Sequence, residues 1–108
     1  RMSTKSTVVQ DAYKNYCFFC GTASINGEHH LLFGGARRLA EEDVLKVPVC
    51  DNCHTTGEVK GRIHDNPMAE KLSKMLGQAF YERNECAKGA TIDEARDNFR
   101  KRYGRSFW

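Results

Sequence analysis

Nothing in the sequence approaches the roughly 18 consecutive apolar residues that a membrane-spanning helix needs, and neither a secretory h-region nor a lipidation motif is present. The expectation is a soluble, intracellular protein. His-Glu-x-x-His is missing as well, which removes the helical metalloprotease arrangement. An excess of charge of either sign is also lacking. The net charge of +3 and the pI near 8.7 permit nucleic-acid binding without requiring it, since many solvated surfaces are as basic. At 108 residues the chain is expected to form one domain, burying about two-thirds of the surface its unfolded state exposes. Such a core is marginal alone, so something further is expected to hold it together.

The cysteines supply that something. Cys17-x-x-Cys20 and Cys50-x-x-Cys53 each place two thiolates on one tight turn, and two such turns provide the four sulfurs of a closed tetrahedral Zn²⁺ site. A disulfide framework fits less well, because the total of five cysteines is odd and no leader points to an oxidising compartment. A redox motif would need only one pair. Zinc-binding free energies of about 10–16 kcal/mol in small metallo-domains exceed what a core of this size supplies. The gap between the pairs is longer than in a zinc ribbon and leaves room for a functional insert. Cys86 falls on the apolar face of a predicted helix and reads as a small buried hydrophobe.

That insert opens with Glu28-His29-His30, and His54 directly follows Cys53, with His64 a little further on. All the histidines of the chain therefore lie in or beside the cysteine-framed segment. Adjacent strand residues point to opposite faces, so His29 and His30 cannot easily share one metal; one would face an ion and the other something else.

The expected fold is α+β. Val8, Val9, Ala12, Tyr13 and Tyr16 keep helical spacing and predict a short lead-in helix; the polar residues before them are expected to be disordered. Asn26-Gly27 is the strongest hairpin signal, leading into Glu28-His29-His30 and the apolar Leu31-Leu32-Phe33. Gly34-Gly35 breaks that strand, and residues 36–45 predict a loop and short helix. Val47-Pro48-Val49 predicts a brief edge strand that delivers Cys50. Asn66-Pro67 is a helix start, with Met68, Leu72, Met75, Leu76, Ala79 and Phe80 as its core-facing stripe. Gly89 ends that helix, and Thr91-x-x-Glu94 is a capping box for the next, where Ile92, Ala95, Phe99 and Tyr103 share one face. Arg96, Arg100, Lys101, Arg102 and Arg105 crowd the last helix and tail; such a run is usually a solvated face, with phosphate contact as the alternative. Phe107-Trp108 is expected to fold back onto the core.

Cys-x-x-Cys, Glu-His-His with an apolar continuation, and Cys-x-x-Cys-His together resemble the HNH endonuclease family, whose catalytic unit is the ββα-metal (His-Me) finger. Gly34, Arg38, Leu45-Lys46-Val47-Pro48-Val49-Cys50, Val59 to His64 and the closing Phe99 to Trp108 are similar to small phage or prophage members. The resemblance runs from about Tyr16 to the C-terminus, and its motifs are specific in combination rather than singly. It implies a small zinc-stapled ββα-metal finger with flanking C-terminal helices. Residues 1–15 would be a polar segment with the lead-in helix, and 16–108 a single nuclease domain, with knuckles and ββα core at 17–66 and helices at 67–88 and 91–104.

The resemblance also assigns roles. His29 would bind a catalytic divalent ion and His30 would be the general base. His54 would be a second metal ligand and His64 a third, displaced by the insert from Thr55 to Ile63. Cys17, Cys20, Cys50 and Cys53 would hold structural zinc. The catalytic ion would be Mg²⁺, Mn²⁺, Ni²⁺ or Zn²⁺; imidazoles favour the softer ions, while the family often works with Mg²⁺ or Mn²⁺. Arg37, Arg38, Lys60 and Arg62 flank the site in sequence as candidate phosphate contacts, which position double-stranded DNA without reading its bases. The expected setting is the cytoplasm of a bacterial host, with a phage terminase as a further candidate partner.

One departure stands out. The middle Asn of the family name, which helps hold the loop orienting the base, is absent between the first strand and Cys50; Arg37 or Arg38 occupies its place. A backbone carbonyl of the Gly34 to Arg38 loop is the expected substitute acceptor for the second ring N–H of His30. The expected activity is metal-dependent DNA endonuclease of low sequence specificity. The alternatives are a non-catalytic zinc module binding DNA or protein, and an accessory factor in phage DNA packaging.

Overall fold

The computed structural model describes residues 6–108. It is an α+β fold: a short antiparallel two-stranded sheet, β1 (Gly27–His30) and β2 (Lys46–Val49), a short helix α1 (Arg37–Glu42) between them, and two C-terminal helices, α2 (Pro67–Ala87) and α3 (Ile92–Tyr103). Among the described residues no helix is long and apolar enough to cross a membrane.

The register pairs Gly27 with Val49, Glu28 with Pro48, His29 with Val47 and His30 with Lys46. Asn26-Gly27 is therefore no hairpin turn, contrary to expectation: Gly27 is itself a strand residue, and the Asn26 N–H donates to the Val49 carbonyl at 3.0 Å. The physical reason lies upstream. The chain from Cys17 to Ile25 has no strand of its own to pair. The Cys17 N–H closes a turn onto the Thr22 carbonyl, and the Phe18 N–H donates to Pro48. Beyond β1, the Leu31 N–H still donates to the Leu45 carbonyl.

Two buried clusters flank this segment, and the consecutive leucines divide between them. Leu31 joins Cys17, Val47, Val49, Cys50 and Ile63 on the cysteine side. Leu32 joins Ala40, Leu45 and Phe99 on the helical side, where Phe80, Tyr81 and Tyr103 complete the packing.

The N-terminal stretch departs from expectation. Only one 3₁₀ turn, Asp11–Tyr13, forms. Val8 and Val9 are half-buried against the core, while Tyr13 and Tyr16 are exposed, so the apolar residues do not line one helical face. Ser6 and Thr7 are tied down rather than loose: the Ser6 hydroxyl donates to the Lys46 carbonyl at 2.6 Å, and the Thr7 N–H to Val44. The disorder expected further upstream falls on residues 1–5, outside the described residues.

Helix α2 starts where its capping residues indicate, with Asn66 accepting from the Ala69 N–H and Pro67 at the first position. Its buried face follows the apolar stripe only in part: Leu76 and Phe80 pack against the two clusters. Met68 and Leu72 are 71 % and 62 % exposed, whereas Ser73, Gly77, Gln78 and Glu82 are buried. The cause is close approach: a Cβ at Gly77 would lie 2.9 Å from Leu32 Cγ and 3.1 Å from Leu31 Cβ, so small residues face the leucines. In α3 the capping box of Thr91 and Glu94 is formed, and Gly104 ends the helix with φ of 84°. Ala95 and Phe99 are buried, but Ile92 is exposed. Arg102 ties α3 to α1 through Asp43 at 2.7 Å and Glu42 at 3.1 Å, and Arg96 meets Glu82, so two of the crowded cations serve the fold. The C-terminus folds back: the Phe107 N–H donates to Gln78 Oε1 at 2.6 Å, and Trp108 lies beneath Arg96.

Candidate metal centre

Two knuckle turns bring Cys17, Cys20, Cys50 and Cys53 together, with their sulfurs all within 4.8 Å of one another. Cys20 Sγ and Cys50 Sγ are 3.8 Å apart, far outside disulfide bonding, and every cysteine is free. A tetrahedron with metal–sulfur bonds of about 2.3 Å has edges of about 3.8 Å, so the separation fits zinc. Electrostatics favours it too. Burial alone would raise the Cys17 thiol, but N–H groups of Cys20, Cys50 and Phe19 aimed at its sulfur bring it down to about 6. Burial, followed by the sulfurs of Cys20 and Cys50, pushes the Cys53 thiol up. Four crowded sulfurs resist joint ionisation unless a dication compensates them.

A second cluster gathers His29, His54 and His64, whose ring nitrogens also lie within 4.8 Å of one another. Each comes from a different element. His29 is the third residue of β1. His54 sits in a single π-helical turn, Asn52–Thr56, which includes Cys53 of the second knuckle; such widened turns recur at functional sites. Gly57 closes that turn by donating to the Asn52 carbonyl at 3.0 Å, and a Cβ there would lie 2.3 Å from the same oxygen. His64 returns beside His54 because the Ile63 N–H bonds Cys53 and the His64 N–H bonds His54. Arg62 locks this return: its guanidinium donates to the carbonyls of His64 and Gly57 and to Asp65, each at 2.8 Å.

The donor set suits a metal ion. His54 Nε2 and His64 Nε2 are 3.0 Å apart, near the spacing of two nitrogens on one ion at about 2.0–2.1 Å. Burial, then the neighbouring His54, His64 and His30, pushes the His29 imidazole down to about 3. Burial and His64 lower His54 as well. Converging ring nitrogens on imidazoles pushed toward the neutral form suit a cation. The cluster is capped on one side by Phe33, whose ring is 4.9 Å from His64 and 5.4 Å from His29.

His30 points the other way, as strand alternation requires. Its Nε2 lies 2.7 Å from Glu41 Oε1. The expected acceptor, a carbonyl of the Gly34 to Arg38 loop, is thus replaced by a side chain of α1. Bonds from His30 first and from Lys46 second hold the Glu41 carboxyl down to about 2. An ionised carboxylate only accepts, so the Nε2 of His30 carries a proton, and in the neutral ring the lone pair is at Nδ1. Lys46 is fully buried yet paired, with Glu41 at 3.0 Å and Glu28 at 3.4 Å. It occupies the β2 position opposite His30.

Of the candidate DNA contacts, Arg37 and Arg38 are exposed at the start of α1. Lys60 is 88 % exposed beside Glu58, and Arg62 is engaged as above. Sequence reasoning did not single out Glu41, Ser73 or Lys74. Lys74 projects its ammonium over Phe33, 4.8 Å from the ring centre. Lys46 appeared only within a motif. The one available signal was its charge within an otherwise apolar strand, which demands a carboxylate partner.

On this α+β fold, the four-cysteine set and the separate three-histidine set define a small metal-binding module consistent with a ββα-type motif. Comparison with protein-family models, curated proteins and solved structures finds no match.

Proposed function

We propose that this protein is a metal-dependent endonuclease of HNH type, hydrolysing phosphodiester bonds of double-stranded DNA with low sequence specificity. One observation carries the reading: His29, His54 and His64 converge as a three-donor set, while the adjacent His30 is held through Nε2 by an ionised carboxylate, with Nδ1 as its remaining ring nitrogen. Four protein ligands close a structural site; three leave a position open for substrate.

His29, His54 and His64 would hold a divalent ion, Mg²⁺, Mn²⁺, Ni²⁺ or Zn²⁺. Once bound, it would supply charge stabilisation at the phosphoryl and leaving oxygens. His30 Nδ1 would take a proton from an in-line water, whose oxygen bonds phosphorus as the P–O3′ bond breaks; the departing 3′ oxygen takes a proton from solvent, giving 5′-phosphate and 3′-hydroxyl ends. Glu41 keeps the imidazole in the required tautomer and balances the imidazolium that forms, the role an Asn-bearing loop plays in the family it resembles. Arg37, Arg38 and Lys60 would contact phosphates, joined by Lys74 at the rim of the histidine cluster. Arg62 serves the same belt by framing His64. The four cysteines would bind structural zinc and hold both strands' ends in register.

The test is cleavage of supercoiled plasmid in Mg²⁺, Mn²⁺ and Ni²⁺ by the wild type and by His30→Ala, each with its zinc content measured. The expected result is metal-dependent nicking or linearisation, reduced about 10²–10⁴-fold in the variant at unchanged zinc. Full activity in His30→Ala would remove the proposed base. An inert wild type in every metal would favour a non-catalytic binding module or a nuclease that needs a packaging partner.

A further inference from the structure

Ser73 is buried on the face of α2 that meets β1, at 2 % exposure. Its hydroxyl has two neighbours: the Leu31 carbonyl at 2.8 Å and His29 Nε2 at 2.8 Å. A carbonyl oxygen only accepts, and a serine has a single hydroxyl proton. That proton goes to Leu31, so the Ser73 oxygen must accept from His29, and His29 Nε2 must carry hydrogen. No other assignment satisfies both bonds. In its neutral form, an imidazole protonated at Nε2 has its lone pair at Nδ1.

From this we infer that Ser73 is a positioning residue of the three-histidine site: it fixes His29 in the Nε2–H tautomer, so that a bound ion is held through His29 Nδ1. The inference rests on the reading of His29, His54 and His64 as a metal site. It also gives the small-residue face of α2 a purpose beyond packing. Gly77, one turn on, brings the helix against Leu31 and Leu32, which is the approach Ser73 needs to reach the Leu31 carbonyl and the His29 ring together. A ligating histidine whose other ring N–H is anchored in this way is oriented and made more basic, and loss of such an anchor typically costs about 10–100-fold in metal affinity.

The experiment uses the whole chain, zinc-replete and ¹⁵N-labelled at histidine. Long-range ¹H–¹⁵N spectra before addition of a second metal should place the His29 proton on Nε2. After titration with ¹¹³Cd²⁺, the scalar coupling at His29 should appear on Nδ1. Ser73→Ala should weaken Cd²⁺ binding at this site by about 10–100-fold, with a mixture of His29 tautomers before metal is added and the four-cysteine zinc retained. Where Ser73→Ala proves unstable, the wild-type spectra decide alone. A proton on Nδ1 before metal addition, or coupling to His29 Nε2, would overturn the inference while leaving the metal site standing. Absence of any coupling at His29, His54 and His64 would overturn the metal reading itself, and this inference with it.

Discussion

The cysteine and histidine clusters draw on the same stretches of chain, yet they are built differently. The cysteines come in pairs on two turns, so their meeting needs only local backbone geometry and one pairing of chain ends. The histidines arrive singly from β1, from the turn that includes Cys53 and from the approach to α2, and Ser73 of a long helix anchors the first of them. One set offers four donors and the other three. A closed set suits stability and an open one suits chemistry, so removing a donor from each should have unlike consequences.

Cys50→Ser should have the largest effect. Cys50 is buried beside Cys17, Leu31, Val47 and Val49, so loss of its thiolate would break the zinc set and the core at one point. Structural zinc contributes about 10–16 kcal/mol in small domains, comparable with or above the entire stability of about 5–15 kcal/mol expected of a folded protein. Circular dichroism should show loss of the cooperative thermal transition, and zinc content should fall below one ion per chain. His54→Ala, from the open set, should keep both. A cooperative, zinc-loaded Cys50→Ser protein would refute the division between the two sets.

Glu41→Gln comes next and separates orientation from fold. The carboxylate accepts from His30 at 2.7 Å and from Lys46 at 3.0 Å, whereas an amide has one oxygen for both. Lys46 is buried and has only donors, so it should take the oxygen and leave the amide NH₂ facing His30 Nε2. That orientation favours a proton on Nδ1, where the proposed reaction needs a lone pair. Reversing a catalytic histidine's tautomer has cost about 10⁴-fold in a serine protease, and a loss of about 10²–10⁴-fold is expected here, read as plasmid cleavage per folded, zinc-bearing molecule. Activity within a few-fold of wild type would mean that Glu41 does not set the His30 tautomer.

These two variants also mark where the sequence was readable. The proline and asparagine before α2 and the Thr91–Glu94 box are local signals that the structure realises within a few residues of chain, and each cysteine pair is local too, although the two pairs meet only through strand pairing. Long-range features were not readable. Met68 and Leu72 looked like core because apolar spacing cannot register that the helix approaches Leu31 and Leu32 too closely for large side chains. Asn26-Gly27 looked like a hairpin because pair statistics ignore that β1 finds its partner beyond α1. The adjacent loop is the sequence-based expectation for the His30 acceptor, whereas the carboxylate comes from α1, where buried Lys46 also requires it. The histidines were identifiable as residue types clustered in sequence, but what holds them, Ser73 and Glu41, was not.

The smallest effect concerns the rim rather than the donors. Lys74 lies over Phe33, which packs on His29 and His64, so its ammonium sits at the edge of the open site. Lys60 is further into solvent and has Glu58 at 3.8 Å to offset it. A phosphate contact contributes through counterion release, and removing one should lower the slope of log K against log salt by about 1. In a His30→Ala background, where the duplex survives, Lys74→Ala should therefore weaken binding of a short DNA measured by fluorescence anisotropy and flatten its salt dependence by about that amount. Lys60→Ala should change the slope less, because its charge is already partly compensated. Equal slopes for Lys74→Ala and its parent would place the DNA path away from the Phe33 rim, on the side of α1 where Arg37 and Arg38 stand exposed.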